Sequence, residues 1–399
     1  VAGAPRWIRL TRLLQGQIEK LHEDLADIEV RTQLRAHGYL STGLGDVVSG
    51  GVKYLFSEQD KGYPEATHGM NFDELRTGSQ PAGVHAGCVF QRAIIADVLQ
   101  DLYTAGVCKD SNRVSRDVAA LIAARLSTVR GGWSYFPTLP DLPPDADDLG
   151  QILQVLVRHG SPDIGAIVDD PLELLFASGL HEDGSFETWI VDPSATDEVT
   201  RRMMNAIAQA WGSGADVEVV ANLSYALGLY GGRFKDLMGK AAAYVERQQA
   251  PDGFWTPTWY SSHFYGTYVA LRLLALCRSS SPAIMRAAAY LRAAQRADGG
   301  FGESRSTPLE TALALLCWKS IPNQSERRRG EMSKRALKFL ELTMMEDGGW
   351  GATDFIRMDV NRAQRHRPGY QPRYLHYKSR TLSTAYVLKA VVSSTEREP

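Results

Sequence analysis

A short pattern recurs along this chain and limits its fold more than any other feature. A glycine-bearing turn ending in an aromatic residue occurs at Arg130-Gly-Gly-Trp133, Asp183-Gly-Ser-Phe186, Asp252-Gly-Phe-Trp255, Asp298-Gly-Gly-Phe301 and Asp347-Gly-Gly-Trp350. From Asp183 onward the aspartates are spaced by 69, 46 and 49 residues. A self-similar period of about 50 residues marks a repeat architecture. Asp-Gly favours tight turns with positive φ, and the aromatic ring can plug the gap between neighbouring units.

Between the turns the chain reads as helix after helix. Six segments are apolar nearly all round: about 83–105, 145–158, 216–230, 262–277, 307–320 and 377–393. The helices before the turns, such as 233–249 and 332–344, carry far more charge. A helix apolar on every side is buried on every side. Six buried helices alternating with amphipathic ones predict an all-α protein, an (α/α)6 barrel or toroid of helical hairpins around a central apolar cavity. An open solenoid is the alternative, but it should have more repeats and polar caps. The spacing of Leu10, Leu14, Ile18, Leu21, Leu25 and Ile28 predicts a further amphipathic helix over 8–35. Residues 36–80 read as Gly-rich and irregular. The expected organisation is one domain over 1–399: an N-terminal helix and irregular segment over 1–80, then core repeats over 81–393.

Composition excludes several classes. Lys+Arg 44 against Asp+Glu 46 gives a net charge of −2, so nothing in the bulk charge points to nucleic acid. No run of 18 apolar residues is present, so no transmembrane helix is expected. The N-terminal stretch has no signal-peptide core. Cys88, Cys108, Cys277 and Cys317 form no CxxC pair. A reduced, cytoplasmic protein without a structural zinc site is the expectation. Oligomeric state is not legible.

The chemistry centres on Asp145-Ala-Asp147-Asp148, after Leu142-Pro-Pro144 and just before an apolar helix. Aspartate at a helix start caps the first N–H groups, which alone would explain it. Yet three carboxyls within four residues cannot all ionise cheaply in a cavity, so at least one is pushed toward the neutral acid. A neutral buried acid is what alkene protonation requires. The helix dipole opposes this, so apolar burial must outweigh it.

These motifs resemble those of class II terpene cyclases. Gln249-Ala-Pro-Asp252-Gly253-Phe-Trp255 is similar to the QxxDGxW repeat of squalene–hopene cyclase relatives, and Gln295-Arg-Ala-Asp298-Gly-Gly-Phe301 is a near match. Asp145-Ala-Asp147-Asp148 resembles their DxDD signature. Trp259 to Thr267 resembles the WxxSPYYxT segment of bacterial class II diterpene cyclases, with Ser262-His263 where that segment has Ser-Pro. Glu310-Thr311-Ala312 resembles their ETA segment, and His376-Tyr-Lys378-Ser-Arg380 loosely resembles LWIGK. Together the resemblance spans about 125 to 393. Family members commonly carry a second helical domain, so this chain looks like a monodomain form. The zinc-binding set of the related protein prenyltransferases is not matched.

The resemblance implies a site. Asp147, the middle aspartate, would be the proton donor, with Asp145 and Asp148 as its hydrogen-bonding neighbours. Trp259, Phe264 and Tyr265 would line the cavity, where aromatic faces stabilise a moving cation without trapping it. Trp255, Phe301 and Trp350 read as structural. Glu310 is a further substrate contact, and His263, Glu310 and Tyr265 are the candidates for the terminating base. The stretch 355–380 carries Arg357, Arg362, Arg365, Arg367, Arg373, Lys378 and Arg380. Arginine forks match phosphate oxygens, so it can hold a diphosphate, and Lys378 and Arg380 fit best by resemblance. No metal ligands are assigned. Mg²⁺ enters only if the substrate is a diphosphate, and Glu23-Asp24-Leu-Ala-Asp27 reads as a solvated helix face.

The expected function is protonation-initiated cyclisation of a lipophilic prenyl chain, farnesyl or geranylgeranyl diphosphate, to a fused bicyclic or polycyclic product with the diphosphate retained. One alternative is cyclisation of a prenylated aromatic to a meroterpenoid. Another is an isoprenoid-binding toroid, which would not need the aspartate triad. An α/α-toroid glycosidase would need separated carboxylates flanking a sugar, which contiguous aspartates fit poorly.

Overall fold

The computed structural model describes residues 44–72, 83–127, 131–322 and 326–395. The helix expected over 8–35, the Glu23–Asp27 stretch and Arg130 lie outside the described residues. The helices are α1 (Leu44–Asp60), α2 (Val89–Thr104), α3 (Asn112–Ala123), α4 (Ala146–His159), α5 (Ile164–Gly179), α6 (Glu198–Ala206), α7 (Val217–Tyr230), α8 (Lys235–Arg247), α9 (His263–Cys277), α10 (Pro282–Ala294), α11 (Pro308–Lys319), α12 (Glu326–Leu342) and α13 (Arg380–Thr395). Two antiparallel hairpins join them: β1 (His68–Asn71) with β2 (Val84–Gly87), and β3 (Thr353–Asp359) with β4 (Tyr374–Ser379).

Helices α2, α4, α7, α9, α11 and α13 each pack on the next, and α13 packs back on α2. That closes a ring of six inner helices among the described residues, and each falls in one of the six apolar segments of the sequence. Helices α1, α3, α5, α8, α10 and α12 pack against this ring from outside. The fold is the expected toroid of helical hairpins.

The repeat turns fasten the outer layer to the inner one. Trp133, Trp255 and Trp350 are fully buried. Each donates its indole N–H to a carbonyl at the end of the preceding outer helix: Leu121 at 2.7 Å, Val245 at 2.7 Å and Leu340 at 2.8 Å. The backbone N–H at the aromatic position is met by an inner-helix threonine, Thr267 Oγ1 for Trp255, Thr311 Oγ1 for Phe301 and Thr384 Oγ1 for Trp350. The glutamines stitch the turn to the next outer helix. Gln249 Nε2 donates to Gly253 O and Ala283 O, both at 2.8 Å, and Gln295 Nε2 donates to Gly299 O and Met332 O. Gly253 sits at φ +98°, where a Cβ would lie 2.5 Å from Arg286 O, so both conformation and space require glycine.

Two expectations need correction. Residues 36–80 are not irregular throughout, because α1 is the outer helix that packs on α13. Its Gly-Gly pair looks like a helix breaker but serves close packing. A Cβ at Gly51 would meet Leu388 Cδ2 at 2.8 Å, and Gly50 lies against Gly348 of the last turn. The basic 355–380 stretch is likewise not a plain loop but largely the β3–β4 hairpin. A bulge at Asp354/Ile356 breaks the alternation that would have revealed it.

Candidate active site

The starts of the inner helices meet at one end of the ring. Phe90 from α2, Asp147 from α4 and Val219 from α7 line a mostly apolar hollow there, with Tyr260 ahead of α9 and Ile356 and Met358 from β3. Tyr135, Phe136, Leu142, Trp189, Trp211 and Trp259 complete its wall. Its free volume is about 70 Å³.

The three aspartates lie on this wall, each in a different setting. Asp145 is the N-cap of α4, and its Oδ1 accepts from Asp147 N at 3.0 Å and Asp148 N at 2.7 Å. The loop ahead of it is pinned by Ala146 N to Thr188 O and Ile190 N to Pro144 O. Asp148 is 1% exposed, and neither of its carboxyl oxygens has a hydrogen-bond partner among the described residues. Asp147 is 8% exposed and held from two sides. Asn222 Nδ2 donates to its Oδ1 at 2.7 Å, and the Tyr260 hydroxyl donates to its Oδ2.

These settings fix protonation. Burial lifts all three carboxyls, because a charge is poorly solvated there. It pushes Asp148 well above the usual range, and the charges of Asp145 and Asp147 add to the shift. Asp145 is pushed up to about 7, with burial outweighing the two backbone N–H groups. Asp147 is pushed up to about 6, with burial outweighing the Tyr260 and Asn222 donors. Burial therefore overcomes the helix dipole.

Asn222 reaches Asp147 because α4 and α7 approach unusually closely. A Cβ at Gly150 would lie 2.8 Å from Leu223 Cα. The amide of Asn222 is oriented by Arg272 and Gln154, which both donate to its Oδ1, at 3.0 and 2.8 Å. With its oxygen so occupied, only its N–H is left for Asp147.

The other predicted positions divide. Trp259 lines the hollow, and its indole N–H donates to Asp216 Oδ2 at 2.8 Å. Tyr265 is fully buried behind the wall, with its ring 3.9 Å from that of Tyr260 and edge-on to Phe355. Phe264 points the other way, against Tyr290 and Phe301 between inner and outer layers. Successive helix residues differ by about 100° in direction, so 264 and 265 cannot share a face. Glu310 is not at the hollow either. At the start of α11 its backbone N–H is capped by Thr307 Oγ1, and its carboxylate accepts from the Thr307 hydroxyl at 2.9 Å and from Ser262 Oγ at 3.2 Å. His263 stacks on Phe254 and pairs with Glu303. Arg380 is committed elsewhere, bound by Asp347 at 2.8 and 2.9 Å over the ring of Tyr54. Lys378 is exposed on β4 opposite Asp354. Arg362 is buried in an ion pair with Asp216 at 2.5 Å, its guanidinium over the Trp259 ring.

Sequence reasoning missed Asn222, Arg272, Trp189 and Trp211, and did not single out Tyr260 within the Trp259–Thr267 segment. Among the described residues no group of three His, Cys, Asp or Glu is placed to hold a metal ion. No helix among them is long and apolar enough to cross a membrane.

Residues 123–314 match the squalene-hopene cyclase C-terminal domain family. A drimenyl diphosphate synthase from Streptomyces showdoensis is 27% identical over 262 residues, covering 63% of this chain and 42% of that one. A squalene–hopene cyclase from Bradyrhizobium diazoefficiens is 27% identical over 194 residues, covering 42% of this chain and 25% of that one. This chain thus spans less than half the length of these relatives. A variant of the type II terpene cyclase MstE from Scytonema, in complex with geranylgeranyl dihydroxybenzoate, has the same fold. It superposes with a TM-score of 0.65 at 19% identity, covering 90% of this chain and 99% of that one. An ent-copalyl diphosphate synthase from Streptomyces platensis superposes with a TM-score of 0.55 at 20% identity, over 79% of this chain and 52% of that one. The ring of helical hairpins is thus the fold of the type II terpene cyclases, and residues 123–314 resemble the squalene-hopene cyclase C-terminal domain family.

Proposed function

We propose that the protein is a class II terpene cyclase, an isomerase that starts cyclisation by protonating the terminal alkene of a prenyl chain. One observation carries this reading. Asp147 is the carboxyl of the triad with hydrogen-bond donors already aimed at both its oxygens. Those donors gain strength as the proton leaves, so they stabilise the state after transfer more than the state before. Asp148 holds its proton more tightly and has no donor for the carboxylate it would leave. Asp145 is tied up as the helix cap. Asp147 is therefore the acid, and its two neighbours shape the field around it.

The tertiary cation formed next needs weak, diffuse stabilisation. Ring faces of Phe90, Trp259 and Tyr260 on the wall supply it without acting as nucleophiles. Hydrophobic burial of the chain supplies binding.

For the head group we favour a diphosphate that is kept through the reaction, as in farnesyl or geranylgeranyl diphosphate. Ile356 and Met358 of β3 line the hollow, and Arg357 lies between them on the opposite face, its guanidinium over the Tyr374 ring and donating to Pro257 O at 3.2 Å. Of the pair Lys378 and Arg380, Lys378 is kept in this role and Arg380 is not, since Arg380 is bound by Asp347. Mg²⁺ would accompany a diphosphate. A second reading, an aromatic head group, is favoured by the three indoles of Trp189, Trp211 and Trp259 at the hollow, which can stack a ring. The four free cysteines fit a reducing cytoplasm.

The test is incubation with farnesyl and geranylgeranyl diphosphates, with and without Mg²⁺, followed by phosphatase treatment and mass spectrometry. A cyclised skeleton still bearing diphosphate before phosphatase is the expected product. Conversion of only a prenylated aromatic would transfer the reading to meroterpenoids. Binding without turnover of any of these would overturn it in favour of a carrier.

A further inference from the structure

We infer that Tyr135, backed by His68, is the base that takes the terminal proton and so sets the alkene position of the product. The inference rests on the cyclase reading and deepens it.

A cyclisation begun by adding a proton must end by losing one or by capturing a nucleophile. The candidates legible in the sequence do not serve. His263 and Glu310 sit in the outer contacts of α9 and α11, and Tyr265 lies behind Tyr260. The polar groups on the wall can instead be accounted for one by one. Thr188 Oγ1 donates to Asp216 at 2.7 Å, the Trp259 indole donates to the same carboxylate, and the Tyr260 hydroxyl is spent on Asp147. The triad is the acid side. Tyr135 is left.

Its hydroxyl is held in a way that suits a base. Gln91 Nε2 donates to the phenol oxygen at 2.5 Å, and His68 Nδ1 lies 2.9 Å from it. With Gln91 donating in, the phenol's own proton is directed at Nδ1, which leaves a lone pair on the oxygen. His68 comes from β1, is 8% exposed, and stacks on Tyr377 at 4.5 Å with Phe136 and Tyr135 around it. This aromatic cage keeps the imidazole neutral, with its affinity for a proton pushed down to about 4 by burial. A neutral imidazole is what a relay needs to receive a proton. The weak basicity is no obstacle, because a C–H beside a tertiary cation is far more acidic than an imidazolium. Tyr135 lines the same hollow as Asp145, Asp147 and Asp148.

The step balances. The C–H bond next to the final cationic carbon breaks, and its electron pair closes the C=C bond. The proton goes to the Tyr135 oxygen as the phenol's own proton passes to His68 Nδ1. The product is an isomer of the substrate. The protein is left with an Asp147 carboxylate and a His68 imidazolium, net charge unchanged, and resets by proton exchange with solvent.

The test compares wild type, Tyr135→Phe, His68→Asn and Asp147→Asn on whichever prenyl substrate the wild type consumes, with every product quantified by mass. His68→Asn keeps an acceptor near the Nδ1 position but cannot take up a proton. For both Tyr135→Phe and His68→Asn the substrate is still consumed. The share of the wild-type alkene falls by about tenfold or more, replaced by isomeric alkenes and water-trapped alcohols. Product share is a ratio per turnover, so a lower folded fraction does not move it. Unchanged product shares in both variants would overturn the inference while leaving the cyclase reading intact. Failure of the wild type to consume any prenyl substrate would instead strike the reading beneath it.

Discussion

Two clusters of buried carboxyls sit inside the same ring and behave in opposite ways. At one end are Asp145, Asp147 and Asp148. Deeper along the helices are Asp97 and Asp101 of α2, clasped by Arg158 of α4 and Lys389 of α13. Arg158 lies eleven residues beyond Asp147 on α4, roughly 16 Å along the axis. Both clusters are well buried: Asp97 is 5% exposed and Asp147 8%. Against the cost of burial, the Lys389 ammonium and the Arg158 guanidinium hold Asp97 well below the usual carboxylate range. The triad has no such cations bonded to it, and burial lifts it instead. Burial alone does not make an acid. What separates a structural clasp from a proton donor is whether a cation has been buried with it.

The contrast can be broken at either end. Asp147→Asn should cost about 10³-fold or more in substrate consumption, with thermal unfolding little changed, since the amide removes only a proton donor. Asp97→Asn should do the reverse. Removing one of the two carboxylates that hold Lys389 and Arg158, with Asp101 left in place, should cost about 1–3 kcal/mol in denaturant unfolding. Turnover per folded molecule should stay near wild type. Loss of turnover without loss of stability at Asp97 would erase the distinction.

Acid and base then act on the clusters in opposite windows. The triad's pKa values are raised on folding, so its contribution to stability is full below about pH 4 and is lost as pH rises through about 6 to 7. Asp97 is depressed, so its contribution is present above about pH 4 and is lost as pH falls further. The proposed mechanism needs Asp147 protonated, so it predicts a rate that falls about tenfold per pH unit above about 6. Tyr260→Phe removes a donor to the carboxylate. It should lower the rate about tenfold and move that falling limb to higher pH, measured as kcat against pH. A merely structural loss would leave the limb in place. The smallest effect belongs to the turns. Thr384→Val deprives the Trp350 N–H of its acceptor and should cost about 1 kcal/mol of stability without altering products.

How much of this was written in the sequence depends on distance along the chain. The inner helices were legible because a helix buried on all sides has an unmistakable composition, and the repeat turns because each is local. Asp145 as a cap could be read from four adjacent residues. The partners of Asp147 could not. Tyr260 lies 113 residues away and Asn222 75, and helical periodicity states which face a residue occupies, not which residues meet across a ring. The pairing of His68 with Tyr135 spans 67 residues and starts from a strand too short to show alternation. Glu310 is the opposite case. Its cap, Thr307 Oγ1 on the Glu310 N–H, joins residues three apart, whereas a resemblance to a substrate-contacting segment does not reveal that local role. Arg380 was assigned by charge and resemblance, and charge does not reveal that Asp347 already holds it.

Cyclisation in D₂O puts the proton transfer itself on view. The wild type should deliver a single deuterium to the ring methylene carbon next to the geminal dimethyl carbon, read by mass and NMR, and Asp147→Asn should deliver essentially none. A cyclised product without deuterium, or an Asp147→Asn enzyme that cyclises at the wild-type rate, would mean that this carboxyl does not start the reaction.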